Sequence, residues 1–540
     1  MNWPIGNRLI GTGQLARLIV RRDRLVMPLW ILVIALVPIS YAATFDTIYP
    51  TAAARALFAE TSGSTAGFIA LYGRLYGSSL GELVTWRAGF VPIVIGLISI
   101  LTVIRHTRSE EDAGRRELIG SAVVGRNASL VAALSTTVGA NIVLGSLLAA
   151  AMTSQHLPAS GSIAVGAQFA SAGVLFGAVA GVTAQLTSSS GSARGIAVIV
   201  LGVAYLLRVV GDVSSQSGGT FAWVSWLSPI YWVQQIHPYG GNRWWPVALT
   251  LAAAMVFCML ALVLSERRDV GAGLFAPRLG HAEAKPSLST PLALAWRLHR
   301  NLLAGWIFGF AALGVVLGGL SESVADLLEG NPNLQQILAR LGGQAGLVDV
   351  YLASVMSILG LIACAYGIQA TLRLRTEESS GRVEQLLSTG VGRFRWAMSH
   401  LVFSALGPAA ALATAGVTAG LTHGINTDDV GQALLQILGA ALVQLPAVWV
   451  LTAITVALVG RIPKIAAAGW GALAACLLIS LVGTALQLDH WILDLSPFTH
   501  IPKLPGSSLS LAPLIALTAI AFVLATIGIA ALRRRDIPVG

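Results

Sequence analysis

The chain has 540 residues, of which 55% are hydrophobic and only 11% charged. Soluble domains carry roughly 25% charged residues, so this composition excludes an ordinary soluble enzyme and points to lipid as the sink for the apolar surface. A net charge of +10 would suggest nucleic acid as partner in a soluble protein, but here the basic residues sort to one side of a membrane and no nucleic acid is expected.

At the start, residues 7–24 set Arg17, Arg21, Arg22 and Arg24 among Leu15, Leu18, Ile19 and Val20. This is the pattern of a basic amphipathic helix on the inner membrane surface; a solvated lead-in to the first span is the plainer alternative. The first apolar run begins near Val26 and is too long for a signal peptide, so it reads as an uncleaved span.

A hydrocarbon core of about 30 Å needs roughly 20 apolar residues as helix. Such runs fall near 26–45, 88–104, 129–152, 162–187, 195–212 and 245–264, and again near 302–320, 350–372, 397–420, 432–459, 464–487 and 510–532. They are continuous and lack period-2 alternation, which favours helices over a barrel. The expected fold is therefore an all-α polytopic membrane protein of about twelve spans, arranged as six plus six.

Segments 1–25, 105–128, 188–194, 265–301, 373–396, 460–464 and 533–540 hold 27 of the 34 Lys and Arg residues. The positive-inside bias puts these segments, and both termini, in the cytoplasm. Residues 265–294 carry Pro277, Pro286 and Pro291 with no apolar span, and read as a linker between halves 1–264 and 295–540.

An internal repeat supports the division. Residues 108–126 read RSEEDAGRRELIGSAVVGR and residues 375–393 read RTEESSGRVEQLLSTGVGR, identical at ten of nineteen positions at an offset of 267. Two further matches follow in order. Arg267-Arg268-Asp269-Val270 pairs with Arg534-Arg535-Asp536-Ile537 after the last span of each half, and Leu227-Ser228-Pro229 pairs with Leu495-Ser496-Pro497 after the fifth. Both halves begin and end inside, so the repeat is parallel.

Within each copy the charges follow helical spacing. Glu110 and Glu117 share a face, as do Arg108 and Arg115, and Glu111 to Arg115 is an i, i+4 pair; Glu377/Glu384, Arg375/Arg382 and Glu378/Arg382 repeat it. Gly114 and Gly381 would bend the helix. A short helix is expected, turned away from its span and presenting charge below the membrane. Leftover ancestry in a solvated loop is the alternative, although loops usually drift faster than the elements they join.

The charged loop after the second span, with its E-E-x-x-G-R-x-E core, resembles the coupling-helix loop of ABC-2-type (type V) exporter permeases. The two-halves-in-one-chain form resembles actinobacterial antibiotic and multidrug export permeases of the tetronasin-exporter type. The resemblance implies docking of ATPase subunits on loops 105–128 and 373–396, through Glu110, Glu111, Gly114, Arg115 and Glu117 and through Glu377, Glu378, Gly381, Arg382 and Glu384. It also implies a bacterial plasma membrane and a hydrophobic cargo, a drug, antibiotic or lipid; no cargo-binding residue is singled out.

A P-loop needs Lys followed by Ser or Thr. Lys285, Lys464 and Lys503 are followed by Pro286, Ile465 and Leu504, so no Walker A exists here. If ATP drives export, two copies of a separate ATPase bind it with Mg, and no cofactor belongs to this chain. Cys258, Cys364 and Cys476 lie in apolar stretches without CxxC spacing and read as core residues. His237, His490 and His500 lack metal-ligand spacing.

The outer segment 213–245 holds five tryptophans and is too long for a simple turn; it reads as a short interfacial or re-entrant helix pair, with 488–510 as its counterpart. Polar residues in the spans are few: Arg87, Gln185, Arg208, Asp349, Gln369, His400 and Gln444. Arg87, Arg208, Asp349 and His400 sit near span ends, where snorkelling accounts for them. This leaves no acidic relay of the sort a proton-coupled twelve-span carrier uses. That carrier is the main rival reading, and a polytopic lipid-modifying enzyme, for which Asp46 and Glu60 lack a motif, is the other.

Overall fold

The computed structural model describes residues 8–216, 218–275, 283, 286–329, 343–482 and 489–535. Among these residues there are no strands, and eleven helices are long and apolar enough to cross a membrane. The chain is an all-α polytopic membrane protein. It divides into two compact units, Met1–Gly280 and His281–Gly540.

In the first unit the helix Thr12–Arg22 precedes six spans: Val26–Ile48, Val91–His106, Ala128–Ser154, Ala159–Leu186, Ser190–Gln216 and Trp245–Glu266. Prolines at the first turns of the second and sixth spans (Pro92, Pro246) suit positions whose N–H would be orphaned anyway. The fourth span is central: 78% of its most apolar stretch is buried, against 17% for the sixth. It packs on the third span at a glycine contact. A Cβ on Gly145 would stand 2.6 Å from the Gly166 carbonyl oxygen, and one on Gly166 would stand 2.3 Å from that of Gly145. Close backbone approach of this kind replaces the hydrophobic drive that lipid removes.

The helix Thr12–Arg22 buries Ile19 against Ala132 and Ala133 at the start of the third span, with Leu15 and Ala16 alongside. Its basic residues Arg17 and Arg21 stay exposed, as does Arg24 in the turn that follows, matching the amphipathic pattern in its sequence.

The second unit contains the helices Pro291–Glu329, Gly343–Ser379, Arg393–Asn426, the pair Val430–Leu442 and Leu445–Arg461, Ala468–Val482 and Leu511–Arg534. The span expected at 464–487 is represented by Ala468–Val482, only 15 residues long; its expected remainder, 483–487, lies outside the described residues. Much of the linker, 276–282 with 284 and 285, also lies outside them.

The expected outer helix pair takes the form of a 3-10 turn, Ala222–Leu227, followed by the helix Pro229–Gln234. Ser228 caps the second piece, accepting from the N–H groups of Ile230 and Tyr231, while its hydroxyl donates to the Ala204 carbonyl at 2.5 Å. In the second unit Ser496 caps Pro497–His500 in the same manner, accepting from the Phe498 N–H. The repeated Leu-Ser-Pro is thus a helix-start signal used twice.

Two expectations about polar residues are overturned. Arg208 does not snorkel: it is fully buried, and its guanidinium donates to the carbonyls of Ile69 at 2.8 Å and Ala70 at 2.7 Å. The reason is the segment between the first and second spans, which folds back as Ala52–Gly63, Ala66–Tyr72 and Leu80–Arg87 and offers Arg208 the carbonyl end of a short helix. His400 does not snorkel either; it is buried, with its Nδ1 3.0 Å from Nε2 of His299.

Candidate functional site

The second span ends at His106, and Thr107 breaks the helix with φ −118° and ψ −87°. A single turn, Arg108–Asp112, follows; Gly114 then adopts φ +70°, and a new helix runs over Arg115–Gly120. In the second unit the span continues unbroken to Ser379, Gly381 adopts φ +70°, and the short helix is Arg382–Leu387. Both loops therefore turn at a left-handed glycine, the conformation L-residues avoid.

That turn alters the expected charge pairing. Glu111–Arg115 and Glu378–Arg382 are not the pairs formed, because the helix that would bring i and i+4 together ends at the glycine. Arg115 instead donates to Glu110 at 2.5 and 3.0 Å, and Arg382 lies 3.3 Å from Glu377. The interruption also removes the common face expected for Glu110 with Glu117.

The residues carried over from the resemblance split into two groups. Glu117, Arg115, Glu384 and Arg382 are exposed. Glu111, Glu377 and Glu378 are buried. Glu110 is intermediate, held between Arg115 and Arg22, the latter at 2.5 Å. Its carboxylate raises the pKa of Arg115 above the ordinary value.

The buried carboxylates are occupied from within the chain. Glu111 receives both guanidinium N–H groups of Arg268 at 2.8 Å in a bidentate fork, Arg108 at 2.5 Å, and Arg116. Further donors go to neutral oxygens. Arg108 reaches the carbonyls of Gly271 and Ala272, and the Nε of Arg268 donates to Gln185 Oε1 at 2.7 Å. Burial, with Arg268, Arg126 and Arg108 nearby, lowers the pKa of Arg116 to about 10, so it remains charged at neutral pH.

Glu378 is held in the same way, by Arg535 at 2.6 Å and Arg375 at 3.5 Å. A second repeated contact sits beside the first. Arg126 donates to the backbone carbonyl of Arg268 at 2.6 Å, and Arg393 donates to that of Arg535 at 2.7 Å. Each contact in one half joins residues that lie 267 positions before their partners in the other. The loop after the second span, the start of the third and the end of the sixth thus meet at one joint per half.

Arg268, Arg535, Arg126 and Arg393 were visible in the sequence only as markers of the repeat. Their common offset with the loop carries the signal: segments that keep one spacing through a duplication are candidates for mutual contact. Gln185, which looked like an isolated polar residue, belongs to the first joint. A further tie had no counterpart to reveal it: Asp23, closing the N-terminal helix, meets His106 at 2.6 Å and Arg105 at 3.1 Å.

The outward side of the first loop forms a groove of about 480 Å³ lined by Arg116, Glu117, Ser121, Val124, Arg126 and Val270. Leu118 and Val123 stand 76% and 84% exposed near it, which is unusual for large apolar side chains lacking a partner surface.

Over 534 residues the chain is 42% identical to the multidrug efflux system permease protein Rv1217c of Mycobacterium tuberculosis (strain ATCC 25618 / H37Rv), covering 98% of this chain and 96% of the relative. The chain belongs to that permease family. Residues 288–533 also match the family described as the C-terminal domain of multidrug efflux system permease Rv1217c. In this permease the matched segment contains the second joint's Glu378 and Arg393 and stops just short of Arg535.

Proposed function

We propose that this permease is the membrane-spanning subunit of an ATP-driven exporter, and that it moves hydrophobic drugs, antibiotics or lipids out of the cytoplasm or inner leaflet. ATP and Mg are bound by a separate ATPase, two copies of which dock on loops 105–128 and 373–396. Both termini face the cytoplasm, as the distribution of Lys and Arg favours.

One observation carries the docking proposal. Each loop has an inner side held by arginines of its own half and an outer side that presents Glu117 or Glu384, exposed, on a short helix. On the first loop that outer side includes a groove and two exposed apolar residues. Apolar anchors with a charged rim fit a protein partner. Within the carried-over set, Glu117, Arg115, Glu384 and Arg382 face the ATPase, while Glu111, Glu377 and Glu378 shape the loop. Nearly equal loops suit two copies of one subunit. The tie to the N-terminal helix through Arg22 makes the first loop's surroundings differ from the second's.

The relative's name as a multidrug efflux permease supports the cargo class. The test is reconstitution in liposomes, following efflux of a hydrophobic dye. Efflux should require both the ATPase and ATP. Efflux by this chain alone under an imposed pH gradient would favour the secondary carrier.

A further inference from the structure

We propose that Arg268–Glu111 and Arg535–Glu378 are transmission ties, which make each docking loop and the last span of its own half move as one body. The inference rests on the reading that an ATPase docks on these loops. It adds positioning residues to that function, residues that touch neither ATPase nor cargo.

A loop carrying force from a docked partner transmits it only as well as its weakest link. In the first half, Thr107 and Gly114 interrupt the helix between the span and the outward helix Arg115–Gly120. In the second, Gly381 does so. Through the backbone alone, a push on the outward helix would be absorbed by rotation at these residues. The ties bypass them. Glu111 and Glu378, just before the glycines, are gripped by arginines at the end of the sixth and twelfth spans. Arg126 and Arg393, just after the outward helices, grip the same arginines' backbone carbonyls. Both flanks of each loop are thus fastened to one point on a span that follows them by more than a hundred residues.

The geometry is suited to bearing load. The Arg268 fork makes two parallel charge-assisted bonds, which fix direction as well as distance. The side chains of Glu111 and Glu378 are 1% and 0% exposed, so water does not compete for them. A surface ion pair would give way where these do not. That the same two contacts hold in both halves, among sequences that have otherwise diverged, argues against accident.

The halves differ in redundancy. Glu111 keeps Arg108 and Arg116 when Arg268 is removed, whereas among the described residues Glu378 keeps only Arg375, at 3.5 Å, when Arg535 is removed. The second tie is therefore the more vulnerable.

The experiment uses the full permease with its ATPase in liposomes and measures co-purified ATPase, ATP hydrolysis and dye efflux per ATP. For Arg535→Gln, co-purification and hydrolysis should stay within about twofold while efflux per ATP falls about tenfold, with Arg268→Gln showing a smaller loss. Arg535→Lys keeps the charge but shortens the reach of the single bond to Glu378, and should fall between parent and Gln. The double variant Glu378→Cys with Arg535→Cys should be uncoupled until a short bifunctional thiol reagent bridges the pair. Bridging should then restore efflux per ATP. Unchanged efflux per ATP in Arg535→Gln, or loss of efflux on bridging, would overturn the proposal, the latter because the tie would have to open in each cycle. Efflux by the parent without ATPase would overturn the docking reading itself and this inference with it.

Discussion

Glu111 and Arg268 lie 157 positions apart and meet through two hydrogen bonds of 2.8 Å; Glu378 and Arg535, also 157 apart, meet at 2.6 Å. In a buried setting, loss of one partner is more damaging than loss of both, because the survivor keeps its desolvation cost without compensation. Glu378→Gln should therefore lower stability by about 1–3 kcal/mol, leaving Arg375 and Arg535 facing each other but part-exposed and so partly screened by water. Replacing Glu378 and Arg535 together by Met should cost less than Glu378→Gln alone. Thermal unfolding in detergent measures both; equal losses would show that the pair contributes packing and no electrostatic tie.

The spans and the duplication were legible because both are written in long or repeated patterns: twenty apolar residues in a row, or ten matches in nineteen positions. What was misread depended on single residues and on contacts across the fold. Gly114 broke the helix on which the Glu111–Arg115 pairing relied, so a spacing argument gave the wrong partner. Arg208 looked like a snorkelling residue because nothing in its neighbourhood shows that residues 66–72 return as a helix and offer their carbonyls. The proposed docking face was half legible. The loop could be found from its repeat, but the sorting of its carboxylates into buried and exposed depended on Arg268 and Arg535, which lie more than a hundred residues downstream.

Glu117 and Glu384 are exposed and make no side-chain ion pair among the described residues. Reversal to Arg should change stability by no more than about 0.5 kcal/mol. If these residues face the ATPase, the double reversal should weaken the complex by about 2–5 kcal/mol. Pull-down of the ATPase with the purified variant checks this; full retention would assign both glutamates to the solvated surface.

Ser121 and Ser388 are exposed on the two loops. A single cysteine at either position should react with an impermeant thiol reagent in inverted vesicles and resist it in intact cells, as the 27-of-34 charge distribution requires. Labelling of intact cells would reverse the topology.

In the segment between the fifth and sixth spans of the first unit His237 stacks on Tyr76 with ring centroids 3.7 Å apart, beside a cavity of about 40 Å³ also lined by Arg74, Gln168 and Gln234. Burial, reinforced by Arg243 and Arg74, lowers its pKa from 6.5 to about 4. The opened segment binds a proton in the window between those values and the closed one does not, so stability rises with pH there. The closure should be complete above about pH 6.5 and weaken as pH falls toward 4. Hydrogen exchange over residues 229–242, expressed as protection relative to the intrinsic amide rate at each pH, should therefore show weaker protection at pH 5 than at pH 7.5, and His237→Gln should flatten the dependence. Equal protection at both pH values would remove His237 from the closure.

The two turn glycines offer a test that separates backbone conformation from space. Gly114 and Gly381 share φ +70°, and a Cβ added to either would meet no atom within 4 Å. Crowding therefore contributes nothing, and any penalty comes from the left-handed backbone. For alanine that penalty is roughly 1–2 kcal/mol; asparagine visits this region more readily, and a β-branched residue less so. Stability should fall in the order Gly, Asn, Ala, Val at both positions, with Gly114→Ala costing about 1–2 kcal/mol. The same order should appear in efflux, because a loop unable to turn would pull Arg115 from Glu110 and Arg382 from Glu377. Melting curves and efflux for the four residues at each site provide the measurement. If alanine matches glycine at both, the left-handed turn is not maintained in the working protein, and the account of the altered charge pairing falls with it.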